Sequence, residues 1–230
     1  MKTVRFSTWS SLLLIGGFAV GISACGTTNN GAALGTGSMT TWSNDQVLQT
    51  YITLNQGEVL TSQSVAGADT VNLGAEADMS NMDTTGMDMD MDMSNMEMSD
   101  VDTPEEFARM MVTQHGKAVQ EAVALAGDTE LGVESNPVSE SLRSTAQNMA
   151  DQLESLSGDQ LGSQYMRDQV TLHQNALQML DNTLIPNTTD PQLLQMLQQG
   201  RQIVATHLEI AQRIQADMQN QSTPSPDTDR

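Results

Sequence analysis

The chain has 230 residues, with 29 Asp and Glu against 9 Lys and Arg, giving a formal net charge of −20 at pH 7. That balance excludes nucleic-acid binding, which needs a basic footprint, and suits the capture of cations. Only 3% of the residues are aromatic, a single Cys excludes an internal disulfide, and no run alternates in the manner of a strand, so an all-α fold is expected.

The chain opens with Lys2 and Arg5, followed by an apolar stretch from Leu12 to Ile22 that is too short and Gly-rich to span a bilayer. It ends in Ile22-Ser23-Ala24-Cys25, which resembles the lipobox of bacterial lipoproteins. The resemblance implies that residues 1–24 are a signal peptide. Cys25 then becomes a lipidated N-terminus, which anchors the chain to a membrane. Gly26 rather than Asp after the Cys implies the outer membrane, facing the periplasm. Cleavage there leaves 7 basic and 29 acidic residues, a net of −22. Residues 25–42 are rich in Gly, Thr and Asn and read as a flexible tether.

Five helices follow. The first is expected from about Asn44 to Val65, with Ser43 and Gln46 as a capping box and Glu58 near its apolar stripe. Residues 67–103 then form an acidic insertion, expected to be disordered because its alternating carboxylates resist burial. It holds Met79, Met82, Met87, Met89, Met91, Met93, Met96 and Met98, eight of the 17 Met in the chain. Thioethers are soft ligands that select Cu(I), so this run is a candidate copper site, although an oxidation sink or a plain acidic loop has the same composition.

The second helix starts at Thr103-Pro104 with Glu106 closing a capping box, and Gly127 is expected to stop it. The third opens at Asn136-Pro137 and reaches about Leu156; its sparse apolar positions mark a partly exposed crossover. The fourth is expected from about Asp159 to Thr183, closed off by Pro186. The fifth runs from Asp190-Pro191 to about Met218, with Gly200 marking a kink or a close helix contact. Residues 219–230 read as a disordered tail.

The chain has only three His, and each follows a Val by three residues: Val112 and His115, Val170 and His173, Val204 and His207. Helical spacing puts each on an apolar face, His115 with Met111, His173 with Met166 and Leu177, His207 with Ile203 and Ile214. With the third helix as a crossover, the other four form a bundle. In it Glu58, His115, His173 and His207 fall within a layer spanning about 9 Å at 1.5 Å per residue. Three imidazoles and a carboxylate suit several transition metals, whereas three separate buried, hydrogen-bonded His are the alternative. A di-iron site places Glu three residues before His, where this chain has Val, so one ion at most is expected.

Asn55-Gln56-Gly57-Glu58, Phe107 to Val112 with His115, Tyr165 to Val170 with His173, and His207-Leu208 with Ala211 together resemble a ferritin-like domain-of-unknown-function family of bacterial envelope proteins. The resemblance covers about Trp42 to Met218. It implies a ferritin-like four-helix bundle with an extra crossover helix, an envelope location and no established reaction. The Met-rich insertion separately resembles that of periplasmic copper-binding proteins.

Three functions follow: a lipid-anchored envelope protein binding copper or another soft metal for storage, buffering or resistance; a metal-dependent oxidase using the His cluster; and a metal-free structural or stress lipoprotein acting as an interaction module. No nucleophile triad, phosphate-binding Gly loop or Zn-type Cys set is present.

Overall fold

The computed structural model describes residues 42–67 and 101–221; Cys25 and the Met79–Met98 run lie outside them. Among the described residues the chain is all-α, with five principal helices packed together and no strand. They are α1 (Asn44–Ala66), α2 (Pro104–Asp128), α3 (Pro137–Glu154), α4 (Gly158–Met179) and α5 (Pro191–Gln221). None is long and apolar enough to cross a membrane.

The starts follow the local chemistry. Ser43 Oγ accepts from the Gln46 N–H at 3.1 Å, and Thr103 Oγ1 from the Glu106 N–H at 3.2 Å, each with the return bond of a capping box. Asn136 caps α3 ahead of Pro137, and the Asp190 carboxylate accepts from the Gln192 and Leu193 N–H groups at 2.9 Å.

Two ends differ from expectation. Gly127 does not stop α2, which continues through Asp128 to Thr129. Pro186 does not close α4. The helix passes into a π-helical turn, Leu180–Leu184, and a short α-helical turn, Ile185–Asn187, with the Ile185 N–H bonded back to the Leu180 carbonyl. The wider π turn carries the chain past a residue that has no N–H to give.

The buried apolar residues form two clusters. The first joins Val59 and Val65 of α1, Phe107 and Met111 of α2, Leu153 of α3, Tyr165 and Met166 of α4, and Ile210 and Ile214 of α5. The second joins Leu48 and Ile52, Val119 and Ala122, Ala176 and Leu180, and Leu193 and Leu197 from α1, α2, α4 and its π turn, and α5. Early residues of α1 and α5 lie in the second cluster and late ones in the first, while α2 and α4 run the other way. α1 and α5 therefore run in one direction and α2 and α4 in the other, and Ala66 and Val101, on either side of residues 68–100, both lie in the first cluster.

α1 packs chiefly on α2 and α3, and α4 on α5. Being covered on several sides, α1 buries many small polar residues, and these are satisfied by its own backbone: Thr50, Thr53, Asn55 and Thr61 each donate to the carbonyl four residues earlier, at 2.7 to 3.0 Å. Gly57 lets α3 approach, since a Cβ there would lie 3.1 Å from the Ala146 Cβ. Gly200 marks the close contact anticipated from the sequence: a Cβ there would lie 2.5 Å from the Tyr51 hydroxyl oxygen. As expected, α3 is half-exposed and buries only Ser139, Ala146, Ala150 and Leu153.

Candidate metal centre

A polar layer separates the two apolar clusters. Along α2, His115 falls between Met111 in the first and Val119 in the second; along α4, His173 falls between Met166 and Ala176; along α5, His207 falls between Ile210 and Val204. All three His are buried, His173 and His207 completely. The inward stripe of α5 is Gly200, Val204, His207, Ala211 and Ile214. Ile203, expected beside His207, is 45% exposed, because that stripe turns the position away from the core.

The three rings meet edge to face, with centroids 5.2 Å apart for His115 and His207, 5.4 Å for His173 and His207, and 5.8 Å for His115 and His173. One ligand nitrogen from each lies within 4.8 Å of the other two. Phe107 closes the first-cluster side, edge-on to His173 at 6.1 Å and to His207 at 6.4 Å.

Each ring is held from behind by one acceptor. His173 Nδ1 is 2.9 Å from the Gln169 backbone carbonyl oxygen, which can only accept, so Nδ1 carries the proton. His115 Nδ1 is 2.8 Å from Asn55 Oδ1, and the Asn55 amide donates to the Tyr51 carbonyl, so Nδ1 donates here as well. His207 Nε2 is 2.8 Å from Gln114 Oε1 and donates to it. The opposite nitrogens, His115 Nε2, His173 Nε2 and His207 Nδ1, are buried with no hydrogen-bond partner. In these tautomers each carries a lone pair.

Burial disfavours the charged imidazolium. It holds His115 well below its ordinary pKa, with the neighbouring His adding to the effect, and takes His207 down to about 3. Neutral imidazoles backed by hydrogen-bond acceptors are the form that ligates transition metals. Metal–nitrogen bonds of about 2.0–2.1 Å put tetrahedral ligand atoms about 3.3 Å apart, so the triad fits one ion after a modest inward movement of the rings.

Glu58 shares the layer but does not join the three nitrogens. Its Oε1 is 3.7 Å from His173 Nδ1, the nitrogen bonded to the Gln169 carbonyl, and its Oε2 is buried without a hydrogen-bond partner. Burial raises its pKa, opposed by His173 and the Gln169 side chain. Of the four side chains expected from the sequence, three converge and the fourth lies behind one of them. The sequence did not point to Asn55, Gln114 or the Gln169 carbonyl as supports. Asn55 lies one turn before Glu58, and that spacing is the one signal that could have found the first.

The domain-of-unknown-function model DUF4142 matches residues 60–214. The chain belongs to this family. All three His of the triad lie inside the matched residues, and Glu58 and Asn55 lie just before them. No curated protein and no solved structure matches the chain.

Proposed function

We propose that this DUF4142 protein binds a transition-metal ion, copper foremost, in the bacterial envelope, for storage, buffering or resistance. The observation that carries the reading is the convergence of three buried imidazoles whose unpartnered nitrogens lie on the side away from their backing acceptors. Each His is already satisfied at one nitrogen, so it is the meeting of the three free nitrogens, rather than the lack of a second partner on each, that points to an ion. Buried lone pairs that face one another are unfavourable without a cation between them. Val112, Val170 and Val204 stand where a di-iron centre needs Glu, which favours a single ion over a ferritin-like oxidase site.

The sequence supplies the rest of the proposal. The acidic, Met-rich run from Met79 to Met98 captures soft Cu(I), and the His triad forms a second, harder site in the bundle. The segment ending at Cys25 lipidates and anchors the chain, which places both sites at the membrane surface on the periplasmic side, in a fold of ferritin-like type. Intact mass of the membrane-fraction protein tests the anchor: acylation at Cys25 with loss of residues 1–24 is expected.

The direct test is metal content of protein purified after growth with copper, zinc or iron. His115→Ala and His207→Ala should each remove one bound ion while the bundle stays folded. A lower melting temperature with unchanged metal content would instead mark the three His as core residues.

A further inference from the structure

Three helices of the layer supply nitrogen, and an ion held by three imidazoles has room for a fourth donor. Among the described residues no fourth His, Cys, Asp or Glu joins the triad. Glu58 stands behind His173, at the nitrogen already bonded to the Gln169 carbonyl. The donor type that remains is a thioether, and the first cluster, which borders the layer, buries Met110, Met111 and Met166.

Helical register singles out Met111. Around the α2 axis it lies about 40° from Phe107 and about 40° from His115, midway between them and one turn from each. Phe107 meets the His207 ring edge-on at 6.4 Å, and His115 meets it at 5.2 Å. Gln114, three residues past Met111, bonds His207 Nε2 at 2.8 Å. Met111 is therefore bracketed on its own helix by three side chains that all reach His207. The helix running parallel to α2 gives the same level. Phe107 is 6.3 Å from the Tyr165 ring and 6.1 Å from the His173 ring, so it stands abreast of the α4 turns between them. Four residues further along α2, Met111 stands abreast of His173, with its side chain fully buried. Met110 is turned about 100° from Met111, and Met166 lies about 10 Å before His173 along α4.

We propose that the Met111 thioether is the fourth ligand of the triad's ion, approaching from the Phe107 side and completing a site of three imidazoles and one thioether. The inference rests on the metal reading of the triad and adds to it the selectivity of that site. All four donors are neutral, so none offsets the charge of the buried ion, and burial favours a monovalent one. A thioether is soft, and soft donors select Cu(I). The site is thus selective for Cu(I) over Zn(II), while remaining harder than a run of thioethers alone. The competing role for Met111 is that of a flexible core filler, which a Leu of similar volume serves equally well.

A full chain carrying Cys25→Ser and Met→Leu at the eight positions from Met79 to Met98 isolates the donors of the bundle. Loaded with Cu(I) under anaerobic conditions, it should show three nitrogens and one sulfur in X-ray absorption at the copper edge. Adding Met111→Leu should remove the sulfur, weaken Cu(I) binding about tenfold or more in competition titration and leave Zn(II) affinity unchanged. Met166→Leu, equally buried in the same cluster, should change none of these. Three nitrogens with no sulfur, or a sulfur that survives Met111→Leu, overturns the thioether ligand and leaves the triad site standing. So does Met111→Leu that weakens Cu(I) and Zn(II) alike, or neither, which would mark Met111 as core packing. Copper held without triad nitrogens, or no copper held at all, overturns the metal reading and the fourth ligand with it.

Discussion

Asn55 on α1 and His115 on α2 are joined by a buried hydrogen bond of 2.8 Å, from the ring Nδ1–H to the amide oxygen. The same Asn55 amide donates to the Tyr51 carbonyl at 2.7 Å, so the side chain is fixed at both ends and fixes the ring in turn. Asn55→Ala leaves a buried N–H without a partner and frees the imidazole to change tautomer. The expected loss is about 1–3 kcal/mol of stability and about 10–100-fold in metal affinity. Urea unfolding of the metal-free protein and copper competition titration measure the two separately. An affinity unchanged by the substitution would show that the ring needs no support from α1.

Tyr51 and Gly200 set the approach of α1 to α5. A Cβ at position 200 meets the Tyr51 hydroxyl oxygen at 2.5 Å and ring carbons at 3.1 Å. Gly200→Ala should therefore destabilise the fold by roughly 1–3 kcal/mol despite the better helix propensity of Ala. Combining it with Tyr51→Phe removes the oxygen and should recover part of the loss, so the pair is non-additive in thermal or urea unfolding. Simple additivity would place the strain elsewhere.

The metal-free protein should lose stability as the pH falls below about 6.5. In the unfolded chain His115 and His207 take up protons near their ordinary values, while in the folded chain burial keeps them neutral, His207 down to about 3. The unfolded state then binds more protons, so unfolding becomes easier by about 1.4 kcal/mol per pH unit for each His across that window. Glu58 acts with the opposite sign. Its raised pKa means that the folded state takes up the extra proton first, which adds stability as the pH falls through that value and levels off below about 4.5. His207→Gln should flatten the acid limb of a urea-midpoint titration between about pH 6 and pH 4. An unchanged slope would show that His207 is protonated in the fold.

The segment carrying the Met run is held where it rejoins the bundle. Val101 is fully buried, and Arg213 on α5 binds the Asp102 carboxylate at 2.5 Å and the Val101 carbonyl at 2.7 Å. Deleting Met79 to Met98 while keeping that junction should leave the melting temperature within a few degrees, since loop length contributes little closure entropy. The same deletion, or Met→Leu at all eight positions, should remove most Cu(I) or Ag(I) binding and leave the His-dependent ion in place. Equal Cu(I) stoichiometry and affinity in wild type and variant would reduce the run to a spacer.

The sequence by itself determined the five helices, the caps that start them and, Ile203 apart, the inward face that carries each His. Ser43 with Gln46, Thr103 with Glu106 and Asn136 before Pro137 act within one turn, and a 3.6-residue period places His115, His173 and His207 on apolar faces with no reference to any other helix. The failures of local reading have local causes: Gly127 keeps helical geometry where nothing requires otherwise, and the π turn before Pro186 is one of several ways past a missing N–H. Only the tertiary structure decided what the His residues form. Their meeting depends on the axial register of three helices distant in sequence. The nitrogen each presents depends on an acceptor that, for two of them, comes from another helix: Asn55 of α1 for His115 and Gln114 of α2 for His207. Glu58 shows the same limit, since periodicity turned it inward, but packing set it behind His173 rather than among the ligands. Helical periodicity is a property of one segment, whereas ligand geometry is fixed by packing between segments, which no single stretch of sequence encodes.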